Sequence, residues 1–520
     1  MEKIKNFVLP ENTNRLYTEE AISSIALTRD VAAKINELVE AYNELSEQDL
    51  QWKQTQEGII RKGVLYMKDN LINTLFDLLK TYDYETIKRM MMEAYGKDLR
   101  IFVTPQMFGA VGDGITNDCE AIEKAIASLS PGDVLYFPKG TYRMTGKPVE
   151  ITKERLTFEG EGVILCDYGF RPKASHFRAQ GLHMECVSYG QDHRAFMIDN
   201  QMTERNEAAF IEDLTFKDCY FKNFFYSVCA VGGAYNYDGT EEDVGYPIRD
   251  VVIENCHSVT YNDQNAGHFQ CIQIENVAYI NNRTYGGKNA SSYNAIKGNG
   301  YIRVIGNYDH NNQYASCEIE NGSGNAVVTG NTFASKIWVD DSYDCVITGN
   351  VVNAGISVTV GSNVGNSRSI VISGNTCQNI RCEQFGTYVG GLIENVNITD
   401  NTVRGDQTHG IWINGTAVQK ALVANNMITG SNTTNDIAVV RNTQLECYIK
   451  GNFGNGKALA LSGTGGKVFV IDNYNMTSSG SRDGLPASKL ERTFNALRIA
   501  DSSEKVWEVS VSTSGTLEVK

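Results

Sequence analysis

The stretch VVTGNTFASKIWVDDSYDCVITGN runs from Val327 to Asn350 and decides the fold. It opens on VVTGN and closes on VITGN, the same phrase 19 residues later. Each phrase is a short β-branched run, a small turn residue and an asparagine. Reading outward in both directions, the phrase returns as VVIEN, YINN, RVIGN, VISGN, NITDN, LVANN, YIKGN and FVIDN. The closing asparagines are Asn255, Asn282, Asn307, Asn331, Asn350, Asn375, Asn401, Asn426, Asn452 and Asn473. One strand and one turn recurring every two dozen residues or so is the length of one coil of a parallel β-helix. A coil cannot bury its apolar face alone, so it stacks on the next at about 4.8 Å. An asparagine at a fixed corner is expected to tolerate left-handed backbone angles and to bond to the asparagine in the next coil. The leucine pattern of a leucine-rich repeat is missing.

A chain of 520 residues exceeds one ordinary core, which leaves several domains or one long repeat array. Its net charge of −15 argues against binding nucleic acid or an anionic membrane by bulk charge. No apolar run reaches membrane-spanning length, and the first residues read as no signal peptide. The 12 cysteines are scattered singly, many beside β-branched neighbours, and are expected to be buried free thiols. No metal site and no resident cofactor are expected, since the histidines form no ligand-spaced pair.

Residues 1–100 differ in texture. Ile35, Leu38, Tyr42 and Leu45 form one helical stripe, and Met67, Leu71, Leu75 and Leu78 another. Both are too narrow for a self-sufficient core. This region is expected to pack against copies of itself or an attachment partner. Residues 101–147 lead into the array, 148–474 carry it, and 475–520 read as a linker and a small β end-domain. The fold class expected is mainly β: a right-handed parallel β-helix with a helical N-terminal region.

At the head of the array, FGAVGDGITNDCEAIEKAI (Phe108–Ile126) packs Gly109, Gly112 and Gly114 ahead of a helical run. A dinucleotide fingerprint has its glycines in another order, and a Walker loop ends in Gly-Lys-Ser/Thr. The stretch reads instead as a tight turn, with Thr116, Asn117 and Asp118 as N-caps. Ala121, Ile122, Ala125, Ile126 and Leu129 form an apolar helical face fit to cover the open end of the first coil.

With VLYFPKGTYRM (Val134–Met144) behind it, this motif closely resembles the opening of the pectate-lyase-like right-handed β-helix proteins, which include many bacteriophage tailspikes. With the coils, the resemblance covers roughly Val103 to Asn473. It implies a homotrimer mounted on a virion tail, attached to a phage tail or baseplate protein through residues 1–100. It also implies binding, and usually cleavage, of a bacterial surface glycan. It transfers no catalytic motif.

Candidate site residues come from the alternation of the coils. If the isoleucines and valines point inward, one outward column reads Glu275, Lys297, Glu320, Asp340 and Thr359. Its neighbour reads Gln273, Ala295, Glu318, Trp338 and Ser357, with Trp412 further along. Two carboxylates facing one bond are what glycoside hydrolysis needs. Glu275, Glu320, Asp340 and Asp341 are therefore the catalytic candidates. Lys297, Glu318, Trp338, His310 and Trp412 are the substrate-binding candidates, Trp338 as an exposed indole for a sugar ring. A wall teichoic acid phosphodiesterase or a polysaccharide lyase stays open, with a divalent cation near Asp340, Asp341 and Asp344, or Lys297 and Arg303 as cationic partners. So does a non-catalytic receptor-binding fibre. A polar loop from Gly232 to Pro247 offers Tyr235 and Tyr237 as a groove wall.

Overall fold

The chain divides into two units, Met1–Ile101 and Phe102–Lys520. The computed structural model describes residues 102–479 apart from 201–205, 233–245, 261–265, 362–366, 386–390, 406–407 and 431–433, together with the strands 497–500, 506–511 and 517–519. The helical stripes expected within 1–100, and Tyr235 and Tyr237, lie outside the described residues.

From Phe102 the chain winds through three parallel sheets of 15, 13 and 14 strands, here called sheets I, II and III. One coil shows the pattern. Asn299–Ile305 lies in sheet I, Tyr308–His310 in sheet II and Ala315–Glu320 in sheet III. Ala326–Thr329 then starts the next coil in sheet I. This is the parallel β-helix that the repeat predicts. Inward side chains such as Val304, Cys317, Ile319, Val328, Ile337 and Val339 are wholly buried. The first coils are filled by phenylalanines, with Phe158 packed edge-on against Phe170 and Phe177, each with ring centroids 5.1 Å apart. A separate antiparallel sheet of Leu497–Ala500, Val506–Val511 and Leu517–Val519 comes after the coils in the chain. Thr477–Ser479 still pairs with sheet III, just past the limit of 474 expected for the coils.

The glycine-rich opening is a joint. Gly112 and Gly114 take φ of 68° and 77°, values that a side chain would strain. Helix α1 (Cys119–Ser128) buries Cys119, Ala121, Ile122, Ala125 and Ile126. Its capping differs from expectation. Asp118 sits at the N-cap but bonds backward, its carboxylate accepting the N–H groups of Val111 (2.7 Å) and Gly112 (3.2 Å). Those amides are thus committed to holding the turn. At the other end Lys153 donates to the Leu129 carbonyl at 2.6 Å and to that of Ala127, as suits a cation at a helix C-terminus.

The asparagines form a continuous buried ladder where sheet I hands the chain to sheet II. Asn331 is typical. Its Oδ1 accepts the backbone N–H (2.8 Å) and the side-chain amide (3.0 Å) of Asn307. Its Nδ2 donates to Asn350 Oδ1 (2.8 Å) and to the Val304 carbonyl (2.8 Å). The same contacts run from Asn282 through Asn473. Two expectations are corrected. The left-handed residue is the one before the ladder asparagine: Asn281, Gly306, Gly330, Gly349, Gly374, Asp400, Asn425, Gly451 or Asp472. Asn255 belongs to that slot, with φ of 53°, and Cys256 takes the ladder position, donating its N–H to Asn282 Oδ1.

Truncating Asn350 leaves the buried backbone N–H of Asn331 and one of its amide hydrogens without their acceptor, and removes the amide donor to the Val328 carbonyl. Asn350→Ala is expected to cost about 1–3 kcal/mol, read as earlier thermal unfolding. Thr332→Ala, on the exposed face of sheet II, is expected to stay within about 0.5 kcal/mol of the wild type.

Candidate active site

Sheet III carries the acids, and its pairing fixes their register. One outward column runs Gln270, Asn294, Glu318, Trp338, Ser357, Arg381, Trp412. The next runs Ile272, Ile296, Glu320, Asp340, Thr359, Glu383. From Glu318 and Glu320 onward these are the columns expected. Before them the expected register fails, for one reason. Gln273 and Lys297 are corner residues, at φ of 55° and 50°, where the chain leaves sheet III. CIQIEN is therefore not one strand: Cys271 and Ile272 end sheet III, and Ile274 and Glu275 begin sheet I.

Glu275 consequently stands on another sheet, in an ion pair with Arg249 (2.9 Å). Lys297 occupies a corner and not the acid column. Ala295 points inward and is fully buried, and Asn294 takes its expected place beside Glu318. Arg303 lies on sheet I, with its guanidinium over the Tyr301 ring. His310 is on sheet II, stacked on Tyr285 (centroids 5.1 Å apart) and beside Tyr308 (6.2 Å). Of the nine candidates, Glu318, Glu320, Trp338, Asp340 and Asp341 come together.

At their centre is one amide. Asn294 Nδ2 donates to Glu318 Oε2 at 2.9 Å and to Glu320 Oε1 at 3.1 Å. Those two oxygens therefore lie no more than about 6 Å apart, against about 5–5.5 Å between the carboxyls of a retaining glycosidase. Their surroundings differ. Glu318 is 5% exposed and also accepts from the Ser291 hydroxyl. Burial raises its pKa, while these donors and the nearby Lys336 ammonium oppose the rise. Glu320 has the Asn294 amide as its opposing donor. Burial first, and then the charges of Glu318 and Asp340, push it up to about 8. A carboxyl raised that far keeps its proton near neutrality. Asp340 is raised by burial and held back by the Thr359 hydroxyl and Lys336. Asp341 turns the corner with φ of 46° and accepts the Gly361 N–H at 2.7 Å.

Trp338 differs from the exposed indole expected. It is 7% exposed, with Lys336 Nζ 3.7 Å above its ring and Phe385 (5.1 Å) and Tyr314 (6.0 Å) packed on it. Its N–H donates to the Thr359 hydroxyl at 2.7 Å, which in turn donates to Asp340. The indole thus braces Asp340, and Phe385 beside it is 43% exposed. Trp412 lies three rungs along the same column, stacked on His409 at 4.5 Å, and among the described residues its buried indole N–H has no acceptor.

Asn294, Ser291, Lys336, Tyr314 and Phe385 escape the sequence reading. Lys336 had a signal, since alternation puts it on the same face as Trp338 and Asp340. Asn294 was hidden by a one-residue slip.

Residues 102–387 match the model of the rhamnogalacturonase A/epimerase, pectate lyase-like family. The chain belongs to that family. It is also similar to the pre-neck appendage protein of Bacillus phage phi29, at 26% identity over 225 residues, 42% of this chain and 22% of that protein. The chain thus matches about a fifth of that relative's length. A capsule K30/K69-specific depolymerase of Klebsiella phage K64-1 is 39% identical over 66 residues, 13% of this chain and 8% of that protein. The solved phi29 gene product 12 aligns with 74% of this chain and 57% of its own at 15% identity, TM-score 0.43. In this pectate-lyase-like chain the acids lie on sheet III within the matched span.

The raised carboxyl has a consequence for stability. Glu320 binds its proton more tightly folded than unfolded, so its contribution is complete below the ordinary value of 4.5 and lost as pH rises through about 8. Wild-type thermal stability is expected to fall between about pH 4.5 and about pH 8, and Glu320→Gln to flatten that fall. Equal declines in both proteins would mean that Glu320 carries no raised pKa.

Proposed function

We propose that this chain is part of a phage tailspike or tail appendage that binds and cleaves a bacterial surface polysaccharide by glycoside hydrolysis. The observation that carries the reading is the shared Asn294 amide between Glu318 and Glu320. It supports an acid and a base within reach of one bond, in unequal surroundings. Glu320 protonates the leaving glycosidic oxygen. Glu318, where the effect of burial is opposed by Ser291, Asn294 and Lys336, serves the anomeric carbon, and the short separation favours retention. Asp340 and Lys336 tune the pair electrostatically. The family match and the relatives named as phage appendage and depolymerase support a virion-borne role acting on a glycan.

Lyase chemistry needs cations to quench a uronate carboxylate. Arg303 stands on a different sheet, Lys336 faces two acids, and Arg381, two rungs beyond Trp338, is paired with Glu383 at 3.7 Å, so this face suits a glycan that brings no further negative charge. Among the described residues Asp340, Asp341 and Asp344 do not converge as ligands of one ion, which also weighs against the metal-dependent phosphodiesterase. We further propose a homotrimer assembled on the tail through residues 1–100.

The test is incubation of the full chain with surface polysaccharides purified from a bacterial panel. New reducing ends are expected. Unsaturated-uronate absorbance would replace the reading with a lyase, polyol phosphates with a phosphodiesterase, and binding without products with a receptor-binding fibre. Glu320→Gln and Glu318→Gln are each expected to lose about 100-fold or more in turnover, with Asp340→Asn losing less. Wild-type rates in both glutamate variants would remove this pair. Light scattering of the full chain is expected to give three copies, and a monomer mass would overturn the trimer.

A further inference from the structure

A second cluster lies on an earlier part of the β-helix, at the corner where sheet II passes the chain to sheet III. Asp167 sits between the strands Val163–Cys166 and Tyr168–Pro172. One coil later, Cys186 comes directly after the strand His183–Glu185, and His193 precedes the strand Arg194–Asn200. The loop between them folds back over Asp167, whose carboxylate accepts the Ser188 N–H at 2.7 Å and its hydroxyl at 3.1 Å.

Three donor atoms of different chemistry meet there. Cys186 Sγ is 3.5 Å from Asp167 Oδ1 and 3.5 Å from His193 Nδ1, and the last two are 3.7 Å apart. A tetrahedral zinc ion, with bonds of about 2.3 Å to sulfur and about 2.0–2.1 Å to nitrogen and oxygen, spaces such ligands about 3.5 Å apart from sulfur and about 3.3 Å between nitrogen and oxygen. The observed triangle matches to within a few tenths of an ångström. Among the described residues this is the group whose ligand atoms converge in this way. The other cysteines are also buried and unpaired with one another, and some, such as Cys219 and Cys256, point their thiols at backbone carbonyls.

We propose that Asp167, Cys186 and His193 form a structural zinc site that pins the 186–193 loop to the coil beneath it. A thiol, an imidazole and one carboxylate suit zinc better than magnesium or calcium, which take oxygen ligands. The Ser188 carbonyl, 2.7 Å from the sulfur and 2.6 Å from Nδ1, is too close to both to be a fourth ligand. It is the acceptor that the thiol and imidazole use while protonated, and metal binding requires it to turn away from both. On binding, the Cys186 thiol releases one proton to solvent and becomes a thiolate. The His193 proton moves from Nδ1 to Nε2, which leaves the ring neutral and frees Nδ1 for the metal. Nε2 then faces the Asp192 carboxylate, 3.8 Å away, the carboxylate–histidine–metal order that orients such ligands. Solvent supplies the fourth ligand.

The test uses the full chain, stripped with chelator and titrated with Co²⁺ and then Zn²⁺. All 12 cysteines lie at or beyond Cys119, so a cobalt–thiolate band can only come from the unit Phe102–Lys520. One Co²⁺ per chain with a near-ultraviolet thiolate charge-transfer band is expected, displaced by Zn²⁺, and Zn²⁺ should delay thermal unfolding. Cys186→Ser should abolish the band and weaken Zn²⁺ binding at least tenfold. Asp167→Asn keeps an acceptor for Ser188 and should weaken Zn²⁺ binding while leaving the metal-free circular dichroism unchanged. No thiolate band in the wild type, or a band that survives in Cys186→Ser, would overturn the site.

Discussion

Every coil of this protein from Asn282 onward is tied to the next by a buried side-chain amide with no spare capacity. An asparagine has two donor hydrogens and one acceptor oxygen, and Asn331 uses both hydrogens and both acceptor directions. Water is excluded at that corner, so an amide that missed a partner would cost free energy with nothing to offset it. The ladder therefore specifies register as well as stability. A strand that slipped by one residue would offer its left-handed glycine, aspartate or asparagine to the ladder and expose the amide. Because rungs are fixed at one corner, the residues of sheet III on the far side of the coil are held in columns too.

Columns have an electrostatic consequence. Residues that share a column repeat at about 4.8 Å, and on sheet III this places Asp340 directly beside Glu320 and Trp338 beside Glu318. Alternation along the strand separately puts Glu318 and Glu320 on one face. Three carboxyls are thus brought together by two periodicities. The structure answers with graded neighbours: Ser291, Asn294 and Lys336 around Glu318, the Thr359 hydroxyl on Asp340, and the shared Asn294 amide for Glu320. Unequal donors set chemically similar acids apart, with three groups opposing the effect of burial at Glu318 and one amide opposing it at Glu320.

How much of this the sequence discloses depends on whether a feature is written in composition or in a turn. The coils are plain in the repeated phrase from VVIEN to FVIDN, and the pairing from Glu318 to Ser357 follows from apolar alternation. The capping face of helix α1 reads directly from Ala121 to Leu129. The failures cluster at corners. Gln273 and Lys297 adopt left-handed angles without being glycine, so no local signal says that the strand ends there, and Glu275 is carried onto the wrong face. The same blindness assigns the left-handed slot to the ladder asparagine and not to its predecessor. Burial of Trp338 is illegible for another reason. It depends on Tyr314, one coil before it, and on Phe385, two coils beyond it, contacts that the repeated phrase does not reveal.

A solvated charged face is common on β-helices, but the burial of the sheet III acids argues against that account of them. A solvated face leaves its carboxylates in water with ordinary pKa values, whereas Glu318 is 5% exposed and Glu320 is driven upward by burial and by its neighbours. Packing offers no benefit for this choice, since isoleucine stands at the Glu320 position in the two preceding rungs, Ile272 and Ile296. The change from isoleucine to glutamate and then aspartate along one column installs charge where the fold is satisfied by hydrocarbon. Local electrostatic strain of this kind persists where the surrounding structure over-determines it, and the asparagine ladder supplies that surplus. The rigidity of one corner is what allows sheet III to hold a group of acids that would otherwise be relieved by a shift of register.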